Sequence, residues 1–405
     1  LIELSPDATE VTLYQSQIYP MDGKFVDPEK FGLELVQKIG PYVSEGVTSA
    51  FLKGWVDEDV VEEELDYQTT WLAEAASLLV QQTEAPLIML HWHHLDHIGH
   101  AFAGRIDPTA ADYNAEKSEK YWNMMRNAFI IADKLVGKFM NKFSLEDTLF
   151  FVVSDHGMPP NTRGVSLFNL FVREGLISLT VDKDGNKKPD WENSKIYYFQ
   201  TMLWINLKGR EPHGIVEQSE YESLRRKIIN LLRGLVDPET GNHPFIYVLP
   251  KEQAPLVGYW GDDIGDIIFL YEDGYRWSSS EVLQLGEGRI FFPSGGANHG
   301  CQPPTYETEI SSNYGIFLVA GPGVRKNYKR PTKQIGPIKM VDVAPTIAYL
   351  LNIPAPAQNQ GSIWVDCLED AKDLKAKQTI RPFRRNFNYG PEKLVLQGDV
   401  TDVEI

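Results

Sequence analysis

Apolar positions fall along this chain in three kinds of run. The first kind is helical. Trp71, Leu72, Ala75, Leu78 and Leu79 recur at the spacing of one helix face and predict a helix over Tyr67 to Gln82. A longer stripe, Trp122, Met125, Phe129, Ala132, Val136 and Met140, steps by threes and fours and predicts a second, longer helix. "DPEKFGLELVQKIGPY" predicts a short helix entered at Asp27-Pro28, since a proline is tolerated in the first turn. The second kind is near-continuous: "APLIML", "DTLFFVV" and "NYGIFLVA", each ending in a polar or glycine-rich turn. Such runs, alternating with helices, indicate an α/β fold with a mostly parallel central sheet sandwiched by helices. In sheets of that kind ligands bind beyond the carboxyl ends of the strands, where the polar clusters after the first two runs lie.

The third kind is mixed. "KIYYFQTMLWINLKG", "PFIYVLP" and "GDIIFLYEDGY" read as strands, and "SEYESLRRKIINLLRGLV" as a helix capped by Ser219. Together they suggest a small α+β insertion at about 180–290 within a domain spanning 61–375. Residues 1–60, with strand-like alternation in "EVTLYQSQIYP", read as a connecting segment continuing from an upstream region. "IKMVDVAPTIAYLLNIP" predicts a closing helix capped near Asp342, and the basic, aperiodic residues 376–405 an extended tail.

Charge narrows the partners. With 39 basic and 56 acidic side chains, the net charge is −17. That surface repels nucleic acid and anionic membranes. No run approaches the ~20 apolar residues of a membrane span, and the first residues carry no signal-peptide pattern. The compartment is left open. The two cysteines, Cys301 and Cys367, make neither a disulfide framework nor a zinc-finger spacing.

Histidine changes the picture most. Of nine histidines, five fall in "HWHHLDHIGH", residues 91–100. Asp96 and His100, four apart, point the same way on a helical turn. Asp155 and His156 are adjacent at the end of an apolar run, and His299 sits in the glycine-rich "GGANHG". Carboxylate oxygen with imidazole nitrogen is the donor mix of Zn²⁺, Mn²⁺ or Fe. His91, His93 and His94 alternate in facing at a strand end. His94 and His97 are candidates for supporting the ligands and His213 for touching substrate, each against the plainer reading of a core or rim residue. His243 reads as a turn residue.

In that order, "LDHIGH", "VVSDHG" and "ANHG" resemble the metal motifs of the alkaline phosphatase superfamily, in its type I phosphodiesterase/nucleotide pyrophosphatase branch. "MVDVAPTIAYLLNIP" is similar to the closing helix of the same superfamily, and the resemblance spans about residues 85–355. It implies two divalent metal ions, zinc first and manganese or iron as alternatives. Asp96, His100 and His299 would bind one, and Asp155 and His156 the other. It also implies a phosphorylated small-molecule substrate and a Ser or Thr nucleophile that follows an aspartate near the first strand. The nearest match to that aspartate is Asp22 in "IYPMDGKF", followed by Ser44, Thr48 and Ser49. The run before Asp22 contains a proline and is not a buried strand. The nucleophile is therefore expected upstream of Leu1, on a segment that could remain associated as a separate N-terminal fragment. The competing expectation is a non-catalytic binding or assembly protein on a degenerate or truncated scaffold of this type.

Overall fold

Helices form where polar caps meet apolar spacing. In the computed structural model, which describes residues 3–83, 85–277 and 288–369, the helix Glu58–Gln82 starts at Asp57, whose carboxylate accepts the Val60 N–H. Glu58 and Asp59 in its first turn suit the positive end of the helix dipole. The helix thus begins nine residues before the predicted Tyr67. The helix Ala115–Met140 is capped by Asn114, which accepts from Glu116 and Lys117 N–H groups. Between them in sequence, His94–Ile106 packs against Ala115–Met140. Phe102 is fully buried there, edge-on to Phe51 at 5.7 Å and stacked on Tyr121 at 5.4 Å. Burying such a ring is worth roughly 2–3 kcal/mol, so this core fixes where the His94–Ile106 helix lies.

The long helix turns a different face inward from the one its sequence suggested. Met124, Ala128, Ile131 and Leu135 are buried; of the predicted stripe, Met125, Ala132 and Val136 are half-buried and Trp122, Phe129 and Met140 are exposed. Ala128 is fully buried at the centre of this face, where its small side chain lets a neighbouring helix approach closely.

A second core lies around the residues between 163 and 301. Ile196–Phe199, Met202–Ile205, Ile267–Tyr271 and Phe245–Pro250 form, in that order, a four-stranded antiparallel sheet. The helix Tyr221–Arg233 supplies Ile228 and Leu232 to the core of this sheet. Its N-cap is Glu220, so Ser219 is one residue outside the expected position. Tyr275–Trp277, Arg163–Val165 and Phe291–Pro293 make a three-stranded sheet that shares this core.

Among the described residues a mostly parallel central sheet is not seen. Phe150–Val153 pairs antiparallel with Phe317–Ala320 in a two-stranded sheet, and among the described residues one strand pair, Tyr275–Trp277 with Arg163–Val165, is parallel. Residues 85–90, expected as a buried strand, are irregular, and Met89 is 86% exposed. A fully buried strand needs ladder partners and a layer on each face. Each strand of the two-stranded sheet has one ladder partner, and Phe151 and Phe317 pack toward Trp364 and Leu368, while Leu318 is 63% exposed. The shorter expectations fare better: Glu29–Ile39 is helical with Pro28 at its start, and Val343–Leu350 is helical with Asp342 as its N-cap. Cys301 and Cys367 are free and buried. Among the described residues no helix is long and apolar enough to cross a membrane. The expected tail at 376–405 lies outside the described residues.

One buried charge pins the second core. Asp266 accepts two hydrogen bonds from Arg210 at 2.7 Å each, one from the Ile205 N–H and one from the Tyr221 hydroxyl. Burial works to raise its pKa, but the bonds from Arg210, Ile205 and Tyr221 outweigh it and hold the carboxyl below its ordinary value. A lowered carboxylate stabilises the fold above its unfolded pKa of about 3.9, and that stabilisation is lost as pH falls through the folded value. Asp266→Asn should therefore cost about 3 kcal/mol at pH 7, measured by urea unfolding. The gap to wild type should narrow as the pH is taken below about 4.

Candidate metal centre

The centre begins with a helix start. At His93 the backbone has turned helical, and its carbonyl accepts from the Asp96 and His97 N–H groups at 3.2 and 3.3 Å. From there 3.6 residues per turn place His93, Asp96, His97 and His100 along one face. The apolar side chains of the same helix, Ile98, Ala101 and Phe102, hold it in the core.

Two loops meet this face. After the strand Phe150–Val153, the chain turns at Asp155-His156-Gly157, where the Gly157 and Met158 N–H groups donate to the Asn313 and Ser312 carbonyls at 2.7 and 2.9 Å. A Cβ at Gly157 would lie 2.1 Å from the Ser312 oxygen, so only glycine permits this turn. The second loop carries His299. It is seated on the helix at Gly104, where a Cβ would come within 2.3 Å of the Gly296 carbonyl oxygen. Asp112 accepts the Gly296 N–H at 2.9 Å, and His100 Nδ1 lies 2.8 Å from the Ala297 carbonyl.

Asp96 Oδ1 is the focus. It is buried without a hydrogen-bond partner. His299 Nε2 lies 3.1 Å and His156 Nε2 3.9 Å from it. His100 Nε2 is 3.5 Å from the other oxygen, Oδ2. A carbonyl can only accept, so the Ala297 carbonyl beside His100 Nδ1 and the Gly157 carbonyl 2.9 Å from His156 Nδ1 put the proton on Nδ1 in both rings. Each Nε2 is then a bare lone pair, the form that binds a metal, oriented by an outer hydrogen bond. The His299 pKa is pushed down to about 4, first by burial and then by the neighbouring His156. Those two rings stack at 3.4 Å between centroids, a spacing at which two imidazolium charges would repel strongly. The donor set fits a divalent transition metal: one orphaned carboxylate oxygen and neutral imidazole nitrogens, within one coordination sphere's reach.

The expected residues divide as follows. Asp96, His156 and His299 converge, with His100 against them. Asp155 Oδ2 is 3.4 Å from His156 Nε2, with a side chain 72% exposed at the rim. His94 lies in the core, its Nε2 buried without a partner, and burial lowers its pKa to about 3. His97 faces Glu45 at 3.9 Å. His213 is exposed and 3.8 Å from Glu192. His243 Nδ1 lies 3.0 Å from the Leu235 carbonyl. Asp22 forms an exposed pair with Lys24 at 2.9 Å. Two residues at the centre had no assigned role in the sequence. His93 lies with Nε2 3.1 Å from Asp96 Oδ2 and Nδ1 3.0 Å from Glu45. Its spacing to His97 repeats that of Asp96 to His100, a signal available in the sequence. Glu45 gave none, because only the fold brings it here.

Residues 21–295 match the family model of type I phosphodiesterase / nucleotide pyrophosphatase. The chain belongs to this family. Membership supports the alkaline phosphatase superfamily and an α/β fold of that type. The match takes in residues upstream of the metal motifs, Glu45 among them, and ends before His299. A human relative, ectonucleotide pyrophosphatase/phosphodiesterase family member 5, is 29% identical over 129 residues, 31% of this chain and 22% of the relative. The aligned part is thus under a quarter of that relative's length.

The seat of the His299 loop can be tested by one methyl group. In a helix interior, Gly→Ala ordinarily stabilises by about 1 kcal/mol. Gly104→Ala should instead destabilise by about 1–3 kcal/mol, because the Gly296 carbonyl must be displaced. Chemical denaturation reads the sign, and a gain in stability would contradict the close approach.

Proposed function

We propose that the chain is a metal-dependent phosphohydrolase that cleaves phosphodiester or pyrophosphate bonds, or phosphomonoesters, in a small phosphorylated substrate. Family membership supplies the reaction class. The observation that carries the metal dependence is Asp96 Oδ1, buried and unpartnered, with two imidazole Nε2 atoms approaching it. In this reading Asp96, His100 and His299 hold one divalent ion and Asp155 and His156 a second. The position of His156 between Asp155 and Asp96 favours two neighbouring ions in one shared pocket. Zinc suits the nitrogen-rich donors best, with manganese or iron as alternatives. Bound there, paired ions would neutralise phosphoryl oxygens and ready a hydroxyl for in-line attack at neutral pH.

The chain's own residues prepare the pocket. His100 and His156 keep their lone pairs inward through the Ala297 and Gly157 carbonyls, and His299 stays unprotonated well below neutral pH. Ser154, the hydroxyl next to Asp155, is committed to the His156 carbonyl. In this reading the nucleophile is a Ser or Thr hydroxyl.

The assay is hydrolysis of bis(4-nitrophenyl) phosphate by the protein as isolated, with every polypeptide that co-purifies identified by intact mass. Chelation should abolish turnover, Zn²⁺ or Mn²⁺ should restore it, and Asp96→Asn should lower kcat/KM at least a hundredfold, about 2.7 kcal/mol. Turnover that survives exhaustive chelation, or no turnover after metal is restored, contradicts the proposal.

A further inference from the structure

Next to the Asp96 centre lies a second cluster of metal-binding atoms that shares none of its ligands. Glu45 precedes the helix Val47–Leu52, and His93 and His97 stand one turn apart at the start of His94–Ile106. Glu45 Oε2 is 3.0 Å from His93 Nδ1 and 3.9 Å from His97 Nε2. The three donor atoms lie within 4.8 Å of one another, and all three residues are half-buried. We propose that Glu45, His93 and His97 form an additional site for a divalent transition metal, distinct from the family's catalytic centre.

Three features of the geometry support this. Two histidines at i and i+4 on one helix face form the chelating pair by which helices hold zinc. A tetrahedral ion with bonds of about 2.1 Å holds its ligands on the order of 3.4 Å apart. The observed 3.0 and 3.9 Å straddle that value. The longer one exceeds any hydrogen bond, so His97 faces Glu45 without being bonded to it. Finally, the His93 and His97 ring centroids are 4.6 Å apart beside one carboxylate. Both rings can be neutral and satisfied there if they share a cation. Three protein ligands leave the fourth position of a tetrahedral ion for water, the pattern of an open rather than a purely structural site.

The link to the neighbouring centre runs through His93. With Nδ1 on the ion, its Nε2–H would donate to Asp96 Oδ2, 3.1 Å away. The carboxylate–imidazole–metal relay would thus orient Asp96, whose Oδ1 faces His299 and His156. The plainer alternative is a bridge of His93 between Glu45 and Asp96 with no ion present. Metal content separates the two.

The probe is Co²⁺ or Zn²⁺ alone, with bound equivalents counted after equilibrium dialysis of the whole protein. Glu45→Gln and His97→Gln should each hold one equivalent fewer than wild type, and the double variant should lose no more than that one. His299→Gln, which marks the other centre, should keep this equivalent. Full wild-type stoichiometry in both single variants, or loss of every ion in them, overturns the proposal. The hydrolase reading stands or falls separately, because it rests on Asp96 and His299. A second measurement needs no variant: Zn²⁺ should protect His97 of the wild-type chain from carbethoxylation by diethyl pyrocarbonate, mapped by mass spectrometry. Equal modification with and without Zn²⁺ overturns the proposal.

Discussion

The candidate centre depends on one close approach, the Gly296 carbonyl resting against Gly104 of the His94–Ile106 helix. His100 and Ala297 are 197 residues apart in sequence and 2.8 Å apart in the fold. The hydrogen bonds across this seam are each worth about 1 kcal/mol net, so they orient more than they hold. The holding is done beneath, where Ile98 and Phe102 are buried against Leu65, Met124 and Ile131. Apolar burial fixes the helix, the two glycines let the loop reach it, and the His100 and His156 imidazoles arrive with their Nδ1 atoms already bonded. Preparing a metal site in this way lowers the cost of ordering its ligands when an ion binds.

Much of the centre was legible because its spacing is local. Asp96 and His100 share a helix face by periodicity alone, and Asp155-His156-Gly157 announces a turn after an apolar strand. His299 could be joined to them only through the order of motifs that the family resemblance provided. What stayed hidden is what only packing decides. The stripe that contains Trp122, Phe129 and Met140 is as periodic as the one buried most deeply, and periodicity alone does not say which face the neighbouring helices cover. The runs 85–90 and 150–153 carry the composition of central strands. A strand is realised only with partners, and composition does not say how many are present. Glu45 lies 48 residues from His93 and meets it through packing of the helix beside it.

The second core shows where other suggestive residues are spent. Lys208 and Arg210 in "NLKGREP" read in sequence as exposed surface charges first and as phosphate contacts second. In the fold, Lys208 pairs with Glu217, and Arg210 closes a fork on buried Asp266. The aromatic residues divide similarly: Tyr271 and Tyr275 are core, while Phe199 and Trp260 are exposed. The buried carboxylates of this layer, Asp237 and Asp266, are paired with Arg163 and Arg210, whereas in the Asp96 pocket an unpartnered carboxylate oxygen faces imidazole nitrogens.

Anomalous diffraction at the zinc absorption edge, from crystals grown with Zn²⁺, tests the central claim most directly. A peak about 2.0–2.2 Å from Asp96 Oδ1 and from the Nε2 atoms of His299 and of His100 or His156 is the predicted result. Density with no peak in that pocket, and with an imidazole N–H donating to Asp96 Oδ1 instead, would contradict it.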